Sequence, residues 1–139
     1  MTKAMTAQEI VDKMLEKDYF SKWLGINVLA VKNGYCKLNF EVRTEMLNGF
    51  GSVHGGVLFS AADSAFAFAC NTNGNITVAL DVSISFTKPA KVGEILTIEA
   101  QELHFSAKIG VYDVKIFNEQ QATIAIFKGT AYKTNRVIN

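Results

Sequence analysis

One proline, one tryptophan, two histidines and two cysteines are all that this 139-residue chain holds of those types, and neither sign of charge prevails. With Pro89 as the single proline and 49% hydrophobic residues, the chain is expected to be ordered rather than disordered. Fourteen basic residues against 13 acidic give a formal charge of +1. The lysines are scattered, so neither a nucleic-acid-binding field nor a polybasic membrane patch is expected. Cys36 and Cys70 lie in apolar settings and form no C-x-x-C pair. Buried free thiols fit a reducing, cytoplasmic setting. Two histidines without clustered ligands speak against a metal site. The longest apolar stretch, Gly55 to Cys70, is broken by Asp63 and falls short of the ~20 apolar residues of a spanning helix. The mixed charged and apolar first 17 residues do not read as a signal peptide. The expectation is a soluble single domain over residues 1–139.

Periodicity supplies the elements. Ile10, Val11, Met14 and Leu15 recur at helical spacing, predicting a short amphipathic N-terminal helix, followed by the aromatic cluster Tyr19, Phe20 and Trp23. Ile26 and Val28 suggest a strand leading to Asn33-Gly34, a strong hairpin signal. After it Cys36, Leu38, Phe40 and Val42 alternate with polar residues, as in a strand with one wet face. A glycine-bearing loop, Met46 to Val53, precedes a helix from about His54 to Asn71, with Asn73-Gly74 as its stop. That helix is apolar on every side and should be buried. Val78, Leu80, Val82, Ile84 and Phe86 then alternate with small or polar residues, and three further strands are expected near 95–105, 110–117 and 122–133. A buried helix held in a curved antiparallel sheet is the natural packing of this order, an α+β hotdog fold.

Asp63 stands out within that helix. A carboxylate among apolar neighbours is costly to bury unless it is paired, hydrogen-bonded or used. It is either a structural carboxylate bonded to a neighbouring backbone amide or a catalytic one. His54-Gly55-Gly56 opens the helix, where free N–H groups can polarise a carbonyl oxygen. The plainer reading is a tight turn, with His54 as a hydrogen-bonded turn residue. Asn48 offers a side-chain amide in the loop. Phe50, Phe59 and Phe66 could line an apolar pocket, although core packing explains Phe59 and Phe66 equally well. Ser64 neighbours Asp63 but projects about 100° around the helix, and reads as packing or polar glue unless it meets a ligand.

Taken together, Asn48-Gly49, His54-Gly55-Gly56, Leu58-Phe59-Ser60 and Ala62 to Ala67 resemble the hotdog thioesterases of the phenylacetate-degradation (PaaI-like) type, within the 4-hydroxybenzoyl-CoA thioesterase superfamily. The resemblance continues through Ala69-Cys70-Asn71, Gly110 to Val114 and Phe127-Lys128-Gly129, covering the chain from Leu24 to about Tyr132. It implies hydrolysis of acyl-CoA thioesters, with small aromatic (phenylacetyl-type) or medium acyl groups, and no cofactor, coenzyme A being part of the substrate. It places the nucleophile or general base on Asp63, the carbonyl-polarising amide on Gly55 and a positioning role on Asn48. His54 would support these, with Gly56, Phe50, Phe59 and Ser64 on the substrate side.

Eight residues of one helix separate Gly55 from Asp63 by about 12 Å along its axis. One thioester cannot meet both, so the site is expected to join Gly55 of one chain to Asp63 of another in a homodimer, with pairing of dimers into a homotetramer implied by the resemblance. A hotdog enoyl-CoA hydratase or dehydratase, and a non-catalytic acyl-CoA-binding protein, are the alternatives.

Overall fold

The computed structural model describes residues 4–139. Two short helices lead in: α1 (Ala7–Glu16) and α2 (Tyr19–Leu24). Thr6 caps α1 in a reciprocal capping box with Glu9, and Ile10 and Val11 are its buried face. The aromatic cluster that followed the first helix in the sequence is thus a helix of its own. Asp18 caps its start, and Gly25, in the left-handed conformation at φ 76°, ends it.

Strands β1 (Asn27–Lys32) and β2 (Tyr35–Glu41) form the expected hairpin across Asn33-Gly34. Cys36, Leu38, Phe40 and Val42 all point into the core. A 3-10 turn at Thr44–Met46 and a tight loop closed by a Leu47–Val53 bridge carry the chain to α3 (Gly55–Asn71). Then follow β3 (Asn75–Phe86), β4 (Ile95–Ser106), β5 (Ile109–Phe117) and β6 (Thr123–Val137). All six strands join one antiparallel sheet in the order β1-β2-β4-β5-β6-β3. The sheet bends around α3, which packs against β2, β3, β4, β5 and β6. This is the hotdog fold read from the sequence.

Helix and sheet approach closely at Gly129 on β6. A Cβ there would lie 2.7 Å from Cζ of Phe66, whose ring is packed on Tyr112 and Phe127. Glycine lets the backbone of β6 serve as the floor for that ring. At the other end of α3, Asn71 clamps helix to sheet. Its amide donates to the Thr77 carbonyl at 3.0 Å and its oxygen accepts the Thr77 N–H at 2.8 Å.

Two features differ from the sequence reading. In β3 the alternating apolar residues do not all face inward: Val82 and Ile84 pack on the core, but Val78, Leu80 and Phe86 are exposed. β3 is an edge strand, and a register shift between Ala79 and Asp81 breaks its alternation. Nor is α3 buried on every side. Gly56 is exposed, and Ser60, Asp63 and Ala67 are half-buried. At i, i+4, i+7 and i+11 they form one stripe along the helix, left open by the sheet.

Candidate active site

The open stripe of α3 has a different neighbourhood at each end. At its start, His54 is the N-cap, and its Nδ1 accepts the Gly56 N–H at 2.8 Å. A neutral ring that accepts at Nδ1 carries its proton on Nε2. The Gly56 amide is therefore spent on the cap. The Gly55 N–H, one residue earlier, has no hydrogen-bond partner among the described residues. It is the free donor that a helix start offers to a developing negative charge.

Asn48 adjoins it. Its Oδ1 accepts N–H bonds from Phe50 at 2.8 Å and Ser52 at 3.2 Å, and its own N–H donates to the Ser52 carbonyl. The side-chain oxygen thus holds the loop in shape, and the Nδ2 donor remains for other use. Asn48 and Gly55 line one cavity of about 390 Å³ with Ser52, Leu58, Phe86 and Lys88. Phe86 supplies the wall nearest Gly55, where a Cβ would stand 3.1 Å from its Cζ. Phe50, expected at the pocket, sits at the loop tip, 96% exposed, and lines neither this cavity nor the one beside Asp63.

Asp63 lines a second cavity of about 280 Å³, together with Asp18, Phe20, Phe59, Ser60, Ser64 and Ala67. No residue is common to the two cavities. Within one chain, therefore, the carboxylate and the free amide are not brought together, as their eight-residue separation requires. Burial pushes the Asp63 carboxyl above the ordinary carboxylate range, and the negative charge of Asp18 pushes in the same direction. Its carboxyl has no hydrogen-bond partner among the described residues. The reading of Asp63 as a carboxylate held by a backbone amide finds no such bond here.

Phe59 serves both core and cleft: its ring packs edge-on against Phe127 at 5.5 Å while it borders Asp63. Ser64 is turned to the interior, its Oγ 2.8 Å from that of Ser21. Ser60 donates to the Gly56 carbonyl on its own helix.

Asp18 and Ser21 were not singled out from the sequence, and Phe20 only as one of an aromatic cluster, yet all three belong to this neighbourhood. For Asp18 the signal was present: an aspartate directly before the apolar Tyr19 and Phe20 is a helix N-cap pattern. The fold partner of Ser21, Ser64, lies 43 residues away, and that separation hid the connection. Among the described residues no three potential ligands gather to hold a metal ion.

A hotdog fold with a lone carboxylate on its central helix and an unpaired amide at that helix's start is the framework of a thioester-handling enzyme. The comparisons are specific. The profile of the thioesterase superfamily matches residues 50–125, which span the end of the loop, α3 and strands β3, β4 and β5. The chain is 42% identical over 125 residues to the acyl-coenzyme A thioesterase PaaI of Escherichia coli K12, covering 90% of this chain and 89% of that one. It is 37% identical to a putative esterase of Archaeoglobus fulgidus, covering 96% and 86%. The structure of the Escherichia coli PaaI protein, from the phenylacetic acid degradation operon, superposes with a TM-score of 0.93 at 41% identity over 96% of each chain. This chain belongs to the thioesterase superfamily, with PaaI-type proteins among its relatives, as its motifs had indicated.

Proposed function

We propose that this protein hydrolyses acyl-CoA thioesters to a free acid and coenzyme A, at a site completed by a second copy of the chain. The observation that carries this reading is the unbonded, half-buried carboxylate of Asp63 on the open face of α3, in a chain 42% identical to an acyl-CoA thioesterase.

The chemistry uses few groups. The thioester carbonyl oxygen takes the Gly55 N–H, and the Nδ2 donor of Asn48 orients the substrate or a water. The ionised Asp63 of the other chain either attacks the carbonyl carbon, expelling the coenzyme A thiolate and leaving a mixed anhydride for water to cleave, or removes a proton from an attacking water. His54 holds Gly56 and so fixes the helix start. No cofactor is needed, since coenzyme A enters and leaves with the substrate. Phe59 and Phe20 give the cleft beside Asp63 apolar walls, suited to a small aromatic or medium acyl group.

The second copy is supported by separation and by exposure. Asp63 and Gly55 occupy different cavities of one chain. The 12-residue edge strand β3 shows Val78, Leu80 and Phe86, each 45–58% exposed, along an unpaired margin. An edge of that length and apolarity is a template for another strand. Pairing along it about a two-fold axis sets two α3 helices side by side, each offering its amide to the other's carboxylate. We take the dimers to pair again into tetramers, following the resemblance. Cytoplasmic residence fits two free, buried cysteines, and no described helix is long and apolar enough to cross a membrane.

A panel of acyl-CoAs assayed for free thiol tests the function. Thiol release that disappears in folded Asp63→Asn supports hydrolysis. Loss of enoyl absorbance without thiol release would instead show a hydratase, and tight binding with neither signal a binding protein.

A further inference from the structure

We propose that Asp18 is a positioning residue of this site: tied through Ser21 to Ser64, it holds a second carboxylate in the cleft of Asp63 and sets the charge that cleft carries. The inference rests on Asp63 being the reacting carboxylate.

The tie can be followed atom by atom. Asp18 Oδ1 accepts the Ser21 N–H at 3.0 Å, and its Oδ2 accepts the Ser21 hydroxyl at 2.6 Å. Because Ser21 has a single hydroxyl proton, already given to Asp18, Ser64 is the donor in the 2.8 Å contact between the two serines. Ser21 is 1% exposed, so water does not compete for this bridge. Ser64 adjoins Asp63 in α3, so the bridge anchors Asp18 to the residue beside the reacting group. Neither serine keeps a hydroxyl proton for Asp63.

The other end of α2 is fixed as well. Arg43 donates to the Leu24 carbonyl at 3.1 Å and the Trp23 carbonyl at 2.7 Å, and its guanidinium lies over the Trp23 ring. A six-residue helix pinned at both ends holds Asp18 at a constant place in the cavity that Asp63 also lines.

Of the seven residues lining that cavity, Asp18 and Asp63 are the two that ionise, and none is basic. On the same helix the Cys70 thiol senses Asp63, but its own value is pushed up to about 12, mainly by burial, so it stays neutral. A second negative charge in this half-buried cleft makes the proton of Asp63 harder to lose. Asp18 adds to burial in raising Asp63. An Asp63 held in this way is a stronger base and nucleophile once ionised, at the cost of ionising later.

Asp18→Asn tests the proposal: asparagine caps a helix as well as aspartate does, and it removes the charge while turning one acceptor oxygen into an N–H donor, which the Ser21 hydroxyl can accept. The carboxyl carbon of Asp63 is titrated by NMR in wild type and variant, its signal assigned by loss in Asp63→Asn. The pH dependence of kcat/KM for thiol release is measured beside it. The Asp63 midpoint and the acid limb of the rate are both expected to move to lower pH in Asp18→Asn, and to return toward wild type in Asp18→Glu. An unmoved midpoint in folded Asp18→Asn, or a rate lowered equally at every pH, overturns the proposal. Should Asp18→Asn not fold, Ser21→Ala cuts the tie while keeping the charge. A shift there in the same direction supports the proposal, and none overturns it. If Asp63→Asn still released thiol, the catalytic role of Asp63 would fall separately, since the NMR titration reads the pair without turnover.

Discussion

The imidazole of His54 accepts the Gly56 amide at 2.8 Å and so leaves the Gly55 amide as the unengaged donor at the start of the central helix. One side chain thereby decides which of two adjacent amides is available.

Replacing His54 by alanine should cost about 1 kcal/mol of stability through the lost cap. It should also lower kcat/KM by less than the loss of Asp63 does. Urea unfolding and steady-state kinetics on the same preparation measure both. A fall as deep as that of Asp63→Asn would give His54 a direct part in the reaction.

Asp63→Asn should reduce thiol release by about 10²–10⁴-fold, the range of a positioned acid or base. Its stability should change in the opposite direction. Asp63 binds its proton more tightly folded than unfolded, mainly through burial. A group raised in this way contributes stability in acid, and that contribution is lost as pH rises through its folded value. At neutral pH the ionised carboxylate is a cost, so Asp63→Asn should unfold at higher temperature than wild type. The gain should shrink as the pH falls. Calorimetry at several pH values checks the trend, and equal melting at neutral pH would remove burial as its cause.

Mixing Asp63→Ala with Gly55→Pro chains should restore activity in the heterodimer. Gly55 is the first residue of α3, a position that accepts proline, so the substitution removes the amide proton without ending the helix. With each variant damaging both of its own sites, a verified heterodimer has one site with both groups intact. Sites built within single chains would stay silent in every mixture.

Gly129→Ala should destabilise the protein by about 1–3 kcal/mol, the range for overpacking. The added methyl would meet the Phe66 ring at 2.7 Å, and that ring is confined by Tyr112 and Phe127. The shift in denaturant midpoint reports it. A neutral substitution would show that the ring has room to turn.

Cys36 and Cys70 are buried, and their thiols are pushed up to about 12 by burial. Both should stay unreactive toward a thiol reagent until the protein unfolds. Native protein should therefore give no background when coenzyme A release is followed with such a reagent.

Most of the fold was written in local periods. The β1–β2 hairpin, the long helix and the later strands each follow from spacing within a few residues, and so did the choice of Asp63, a charge among apolar neighbours. What escaped the sequence depends on distant partners. The exposure of Val78 and Leu80 follows from β3 lying at the sheet edge, a matter of strand order rather than alternation. The place of Ser64 depends on Ser21, 43 residues earlier. Asn71 and Gly129 belonged to the family resemblance, and the structure gives them packing duties: one clamps Thr77, the other makes room for Phe66. A motif records which residues matter together without separating chemistry from architecture.

The open stripe on α3 also bears on how the protein behaves when scarce. If a catalytic centre exists only where two chains meet, output follows the number of encounters rather than the number of chains. Dilution should then depress turnover per chain, and a newly made, solitary chain would spare the thioesters around it until its concentration crossed a threshold.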